Sequence, residues 1–175
     1  ASIINELLDL VRIETRRGKD FDLVSIEAGE LLREAITSFG LPEGRLPPLL
    51  TPPRSPCRLR ADRKKLLQVI NNLLSNAYKY SPHGGDVTIA VSDGSALGQP
   101  GHIALRISDQ GIGMSAEQSC RVFERFYRAD TVGNIPGTGL GMCIVKEIVE
   151  LHDGYVHLNS QPGQGTTVTV LIPQA

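Results

Sequence analysis

The sequence predicts an α+β fold, a two-layer sandwich, on three observations. Its helical stretches are segregated from its strands, the strands read as mostly antiparallel, and its composition is that of one globular domain. Over 175 residues, 41% are hydrophobic and 21% charged, which excludes wholesale disorder. Lys+Arg number 18 and Asp+Glu 19, for a net charge of -1. That near-balance removes any global electrostatic case for binding nucleic acid or anionic lipid. Cys57, Cys120 and Cys143 are far apart and odd in number, so no disulfide framework is expected, which fits a reducing cytoplasm. No apolar run approaches the length of a membrane span, and no signal peptide opens the chain. The chain opens at Ala1 inside a helical pattern, as expected of a piece of a longer protein.

From the N-terminus, Ser2 to Arg17 place Ile4, Leu8 and Val11 at i, i+4, i+7, with Ile3, Leu7 and Leu10 widening the stripe, which predicts an amphipathic helix ended by Gly18. Phe21 to Ile26 alternate as a strand, and a helix follows with Leu31, Leu32, Ala35 and Ile36 on its buried side. Leu41 to Pro56 hold six of the eleven prolines and predict a loop with extended pieces. After a short strand at Cys57–Arg60, Asp62 is the expected N-cap of a long helix running to about Tyr80, where Ser81-Pro82 and Gly84-Gly85 stop it. Strands are expected at 87–91 and 103–107, and a short helix begins at Ser115. A poorly periodic stretch from about Arg121 to Pro136 precedes a helix over Leu140–Leu151. Tyr155–Leu158 and Thr166–Ile172 then form a hairpin around Pro162–Gly165.

Three motifs carry chemistry. On the long helix, roughly 100° steps put Leu66, Ile70, Leu73 and Ala77 on one stripe and Asn72, Asn76, Lys79 and Tyr80 on its neighbour. Asparagine is a mediocre helix former with no reason to recur mid-helix at i, i+4. Two readings stand at this point: a solvated face with incidental amides, or a site for a hard cation and phosphate. The second motif is Asp109-Gln110-Gly111-Ile112-Gly113, a carboxylate in a glycine turn at a strand end, able to accept a hydrogen bond from a ligand but common as a plain turn. The third, Gly137-Thr138-Gly139-Leu140-Gly141, opens a helix and leaves amide N–H groups to face an anion. It lacks the GxGxxG spacing of a dinucleotide site and the GxxxxGK[ST] of a P-loop. Gly163-Gln164-Gly165-Thr166, taken alone, predicts a hairpin turn.

In order and spacing these segments resemble the boxes of bacterial sensor histidine kinases. Asp62 and Leu67–Ser81 closely resemble the N box, Asp109–Gly113 the first glycine box, and Phe123-Glu124-Arg125-Phe126-Tyr127-Arg128 the F box. Gly137–Gly141 and Gly163–Thr167 resemble the remaining two glycine boxes, so the likeness runs from about Ser2 to Pro173.

The resemblance implies the Bergerat-type ATP-binding fold shared with gyrase-type and mismatch-repair ATPases. It implies that 1–18 are the end of the dimerisation helix and 19–175 the catalytic domain. By the same resemblance Asp109 would hydrogen-bond the adenine amino group and Tyr80 pack near the base. Asn76 would ligate Mg²⁺ with Asn72 beside it, and Lys79 would meet phosphate. Gly137, Thr138, Gly139, Leu140 and Gly141 would cradle the phosphates, and Gly111, Gly113 and Thr166 would complete the ATP contacts. Arg128 would stand near the γ-phosphate as a catalytic residue with Asn76, and Phe123 and Phe126 would anchor a lid whose glycines and Pro136 let it move.

The histidine that receives the phosphoryl group belongs upstream in this family. None of His83, His102, His152 or His157 sits in such a context, and His152 is expected to serve a helix C-terminus. The expected partners are thus a dimerisation domain outside these residues and a response regulator, with no nucleic acid. The fragment itself is expected to be a monomer and unable to autophosphorylate alone, from a homodimeric parent anchored in the inner membrane with this domain in the cytoplasm. A silent pseudo-kinase is the alternative. A hydrolytic gyrase-type ATPase would need an acidic residue on the N-box helix, which has none after Asp62.

Overall fold

The computed structural model describes residues 3–53, 55–129 and 135–175. In chain order the elements are α1 (Ile3–Arg16), β1 (Leu23–Glu27), α2 (Ala28–Ser38), β2 (Leu49–Thr51), β3 (Arg58–Asp62) and α3 (Arg63–Lys79). There follow β4 (Thr88–Asp93), a 3-10 turn (Gly94–Leu97), β5 (His102–Ser108), α4 (Ala116–Arg121), α5 (Gly141–Glu150), β6 (Tyr155–Gln161) and β7 (Gly165–Pro173).

One layer is a five-stranded sheet in the order β2-β4-β5-β7-β6, antiparallel except where β2 runs parallel to β4. Alternation in β4 and β5 turns Ile89, Val91, Ile103, Leu105 and Ile107 inward, and these are buried. The second layer is built on α3 and α5. The α3 stripe of Leu66, Ile70, Leu73 and Ala77 is buried, as are Ile144, Val145, Ile148 and Val149 of α5. The two layers share one core. β1 and β3 form a separate antiparallel pair in register Leu23↔Asp62 to Glu27↔Arg58.

Local chemistry explains the helix ends. Asp62 caps α3 by accepting the Lys65 amide at 2.9 Å, and its other oxygen accepts the Asp22 amide at 2.9 Å. Ser115 and Gln118 form a reciprocal capping box on α4. At the far end of α3, Arg45 donates to the carbonyls of Tyr78 and Ser81 and to the Ser81 hydroxyl, with its guanidinium 5.0 Å from the Tyr78 ring centroid.

One feature sharpens the sequence-based expectation and another departs from it. The proline-rich stretch contributes a strand, β2, between Pro48 and Pro52, and it can do so because it lies at the edge of the sheet where missing N–H donors are tolerated. On α1 the stripe of Ile4, Leu8 and Val11 stays exposed, while Leu10 and Ile13 are the buried pair. The helix packs onto α5 by one edge of its apolar face rather than by the centre of it.

Candidate active site

Because the apolar stripe of α3 is pinned in the core, its neighbouring stripe must face the space beside the sheet. Asn72, Asn76, Lys79 and Tyr80 all line one cleft of about 560 Å³, a volume typical of small-molecule sites. Across it stand Gly137, Thr138, Gly139 and Gly141, with Gly113, Thr166 and Arg128 at its borders. A second cavity of about 50 Å³ adjoins it, sharing Asn76, Met114, Met142 and Thr166. Asp109 lies in this smaller slot among Leu73, Ala77, Ile107 and Val168.

The first glycine turn is built by backbone packing against backbone. A Cβ on Gly111 would collide with the Tyr80 carbonyl, the same oxygen that accepts the Ile112 amide at 2.9 Å. One on Gly113 would collide with the Gln161 carbonyl. Gly165, at φ +86°, has the Asp109 carbonyl in the position a Cβ would take. The final glycine segment is therefore more than the hairpin turn its sequence suggests. The Asp109 amide donates to the Thr166 carbonyl at 2.9 Å, and the Asp109 Oδ1 accepts the amides of Gly111 at 2.8 Å and Thr166 at 3.3 Å. Among the described residues no hydrogen bond engages Oδ2. Burial pushes the Asp109 carboxyl above its usual range, and the two amides pull it partly back.

The segment before α5 is shaped differently. Gly137 lies against the Lys79 ammonium, with no room for a Cβ between them, and a Cβ on Gly139, at φ +74°, would come within 2.7 Å of the Phe126 backbone. The N-cap of α5, Leu140, provides no side-chain cap, so amides of the first turn remain open toward the cleft. The Leu140 side chain itself is fully buried in the core, and its amide donates to Thr138 Oγ1 at 3.2 Å. Gly111 lies behind the wall of both cavities rather than in it. Leu140 likewise lines neither cavity, and every expected site residue other than these two lines one or the other.

Charge in the cleft is cationic. Burial, and then the Arg128 guanidinium, hold the Lys79 ammonium below its usual pKa, while Glu6 pulls the other way. Burial raises the Tyr80 phenol. Arg128 is exposed, and its guanidinium donates to the Ile135 carbonyl. Residues 130–134, within the expected lid and including Gly133, lie outside the described residues. Of the two expected lid anchors, Phe123 packs against the core, but Phe126 is 56% exposed in a left-handed turn (φ +61°), its amide bound to the Gly139 carbonyl at 3.0 Å. Sequence reasoning missed Met114, Val122 and Met142, which look like ordinary core residues, and missed Ile3 and Glu6, which reach the cleft from α1.

The donor set suits a magnesium nucleotide. Mg²⁺ ordinarily keeps several waters and takes only one or two protein oxygens besides phosphate, so the amide oxygens of Asn76 and Asn72 suffice. Lys79 and the open amides of α5 suit phosphate, and an apolar slot ending in a carboxylate suits a purine bearing an amino group.

Residues 61–175 match the family described as histidine kinase-, DNA gyrase B-, and HSP90-like ATPase. The sensor-like histidine kinase SenX3 of Mycolicibacterium smegmatis is 36% identical over 178 residues, covering 99% of this chain and 44% of that protein. The sensor histidine kinase WalK of Bacillus subtilis is 41% identical over 116 residues, covering 64% of this chain and 18% of that one. The chain thus spans less than half the length of these relatives. Among solved structures, the mycobacterial sensor histidine kinase MprB superposes with a TM-score of 0.67 at 28% identity, covering 87% of this chain and 97% of that one. Full-length ShkA in complex with AMPPNP superposes at 0.76 over 99% of this chain and 35% of its own, and at 24% identity it speaks for the fold alone. Fold, motifs and relatives converge: the chain belongs to the histidine kinase-, DNA gyrase B- and HSP90-like ATPases, as an ATP-binding catalytic domain of the sensor histidine kinase kind.

Proposed function

We propose that this domain binds Mg²⁺-ATP across the two adjoining cavities and donates the γ-phosphoryl group to a histidine on a dimerisation domain, for relay to a response regulator. The observation that carries this reading is the meeting of Asn76 and Lys79 with Asp109 and the Gly137–Gly141 segment around one continuous site. In this arrangement Asp109 Oδ2 accepts from the adenine amino group while Oδ1 stays on its two amides. Asn76, with Asn72 beside it, holds Mg²⁺, which when bound offsets charge on the phosphate oxygens. Lys79 and the α5 amides hold the phosphates in line, and Arg128 offsets the charge that develops as the phosphoryl group leaves. Catalysis here is positioning and electrostatics, so no acid or base within the chain is required.

Residues 1–18 serve as the end of a dimerisation helix, and the working kinase is a homodimer whose exposed Ile4, Leu8 and Val11 are covered in the dimer. No helix among the described residues is long and apolar enough to cross a membrane. On the same reading the site works in the cytoplasm, with any membrane anchor elsewhere in the parent protein.

The test supplies a separate dimerisation domain bearing the acceptor histidine, together with labelled ATP. Phosphohistidine should form, and Arg128→Ala should cut its formation by about 100-fold or more with ATP affinity nearly unchanged. Bound ATP without any transfer would instead mark a silent module of the same fold.

A further inference from the structure

Among the described residues, one charged side chain lining the cleft is not used by the ATP reading. Glu6 lies in the first turn of α1, 132 residues from Thr138 in sequence, yet its Oε2 accepts the Thr138 hydroxyl hydrogen bond. Thr138 sits in the middle of the phosphate-binding segment, and its Oγ1 also receives the Leu140 amide. Glu6 lines the same cleft as Lys79, and its charge acts on that ammonium. A carboxylate is a small oxyanion that accepts from hydroxyls, ammonium and helix-end amides as a phosphate does.

The rest of α1 holds Glu6 there by three contacts with the machinery of the site. Leu10 and Ile13 are buried against α5, the helix whose N-terminus faces the cleft. Glu14 pairs with Arg125 of the F-box segment. Asp9 accepts from Gln68 of α3 at 3.4 Å.

We propose that α1 is a strap whose Glu6 carboxylate occupies the phosphate half of the cleft, so that seating a nucleoside triphosphate and docking α1 oppose each other. The proposal rests on the ATP reading of the site. Two anions cannot both meet the Thr138 hydroxyl, beside the Lys79 ammonium, in a half-buried cleft without strong repulsion. Triphosphate binding therefore expels Glu6, and by linkage a docked α1 weakens triphosphate binding by the same factor. Whatever moves α1 in the parent protein then sets the nucleotide affinity of this domain.

The experiment compares wild type with Glu6→Gln, titrating each with Mg²⁺-ATP and with adenosine by calorimetry. Glu6→Gln keeps the shape and a hydrogen-bonding oxygen but removes the charge. ATP should bind the variant at least about five-fold more tightly, the low end of ordinary coupling between sites. Adenosine, which has no phosphates, should bind both proteins equally. In wild type, amide hydrogen exchange over Leu7–Ile13 should quicken on saturation with ATP and stay unchanged with adenosine. Equal ATP affinity in the two proteins, or an α1 indifferent to ATP, would overturn the strap and leave ATP binding intact. Weaker ATP binding by Glu6→Gln would also overturn it, making Glu6 part of the cradle. Equal tightening for ATP and adenosine would overturn the phosphate competition. Failure of either protein to bind either ligand would overturn the nucleotide reading itself, and the strap with it.

Discussion

In the proposed ATP complex, Asp109 concentrates the selectivity of the site in one side chain. Its Oδ1 is committed to the Gly111 and Thr166 amides, and burial raises the carboxyl above the ordinary 3.8. Ionised, its other oxygen is a strong acceptor; protonated, it becomes a donor facing a donor. ATP affinity should therefore fall as pH drops, starting at a higher pH than an ordinary carboxylate would dictate, and a calorimetric titration series at acidic pH checks this. In Asp109→Asn the amide oxygen can keep the two backbone bonds, which turns the NH₂ toward the adenine amino group. The expected cost is about 10- to 100-fold in affinity with the fold retained, matching the worth of a charged hydrogen bond. An unfolded variant would mean the carboxylate is chiefly structural. At this scale the sequence was informative wherever a residue type was locally odd, as with paired asparagines inside a helix or a carboxylate before two glycines. Glu6 is an acidic residue in a helical first turn, where acids are ordinary, so nothing in its neighbourhood marked it.

Helices α3 and α5 are joined by a side chain whose two ends do different work. His152, 3% exposed, donates from Nδ1 to the Ile148 carbonyl at 2.7 Å and accepts the Asp62 amide on Nε2 at 2.9 Å. The Phe21 ring lies 4.7 Å from the imidazole, so the linker after α1 meets the same point. The acceptor role requires the neutral ring. Burial lowers its pKa from 6.5, against the opposing pull of the Ile148 carbonyl and of the Asp62 and Asp153 carboxylates. With the folded pKa depressed, the unfolded chain takes up a proton first as pH falls. Stability is therefore complete above about 6.5 and declines below it toward the folded pKa. Thermal melts from pH 7.5 to 5.5 should show that decline in wild type. His152→Ala should lose the share due to this group and start lower by about 1–3 kcal/mol, because the Asp62 amide is left without an acceptor. A slope unchanged by the substitution would assign the pH dependence elsewhere. The helix-terminal half of this arrangement is legible from Glu150-Leu151-His152-Asp153-Gly154. The other half is not, since its partner lies 90 residues away. Arg45 is hidden for the same reason: a proline-rich loop gives no sign that one of its cations closes the end of α3.

For the molecule as a whole, the boxes in order were enough to name the family, whereas the strand order was not written in any local pattern. Short alternating runs specify that strands exist and which face is apolar, but not that β2 pairs in parallel with β4 or that β7 lies between β5 and β6. One global prediction follows from a site built from α3, β5, β7 and the segment before α5. A ligand gripping all of them stabilises the entire fold, so Mg²⁺-ATP at a hundred times its Kd should add about 2.7 kcal/mol. For a domain of this size that is a rise in Tm of about 5–10 °C, readable by scanning fluorimetry. No rise from a folded protein would count against the nucleotide reading. The place of β7 has a bearing on synthesis. The ribosome makes this strand after the other four, yet in the sheet it is an interior strand flanked by two of them. Until Gly165–Pro173 have left the exit tunnel, β5 and β6 have open edges, and the Asp109 turn lacks the Thr166 backbone that completes it. The nascent domain is thus prevented from acquiring its nucleotide site before its sheet is whole, and throughout that interval its bare strand edges depend on chaperones or on speed.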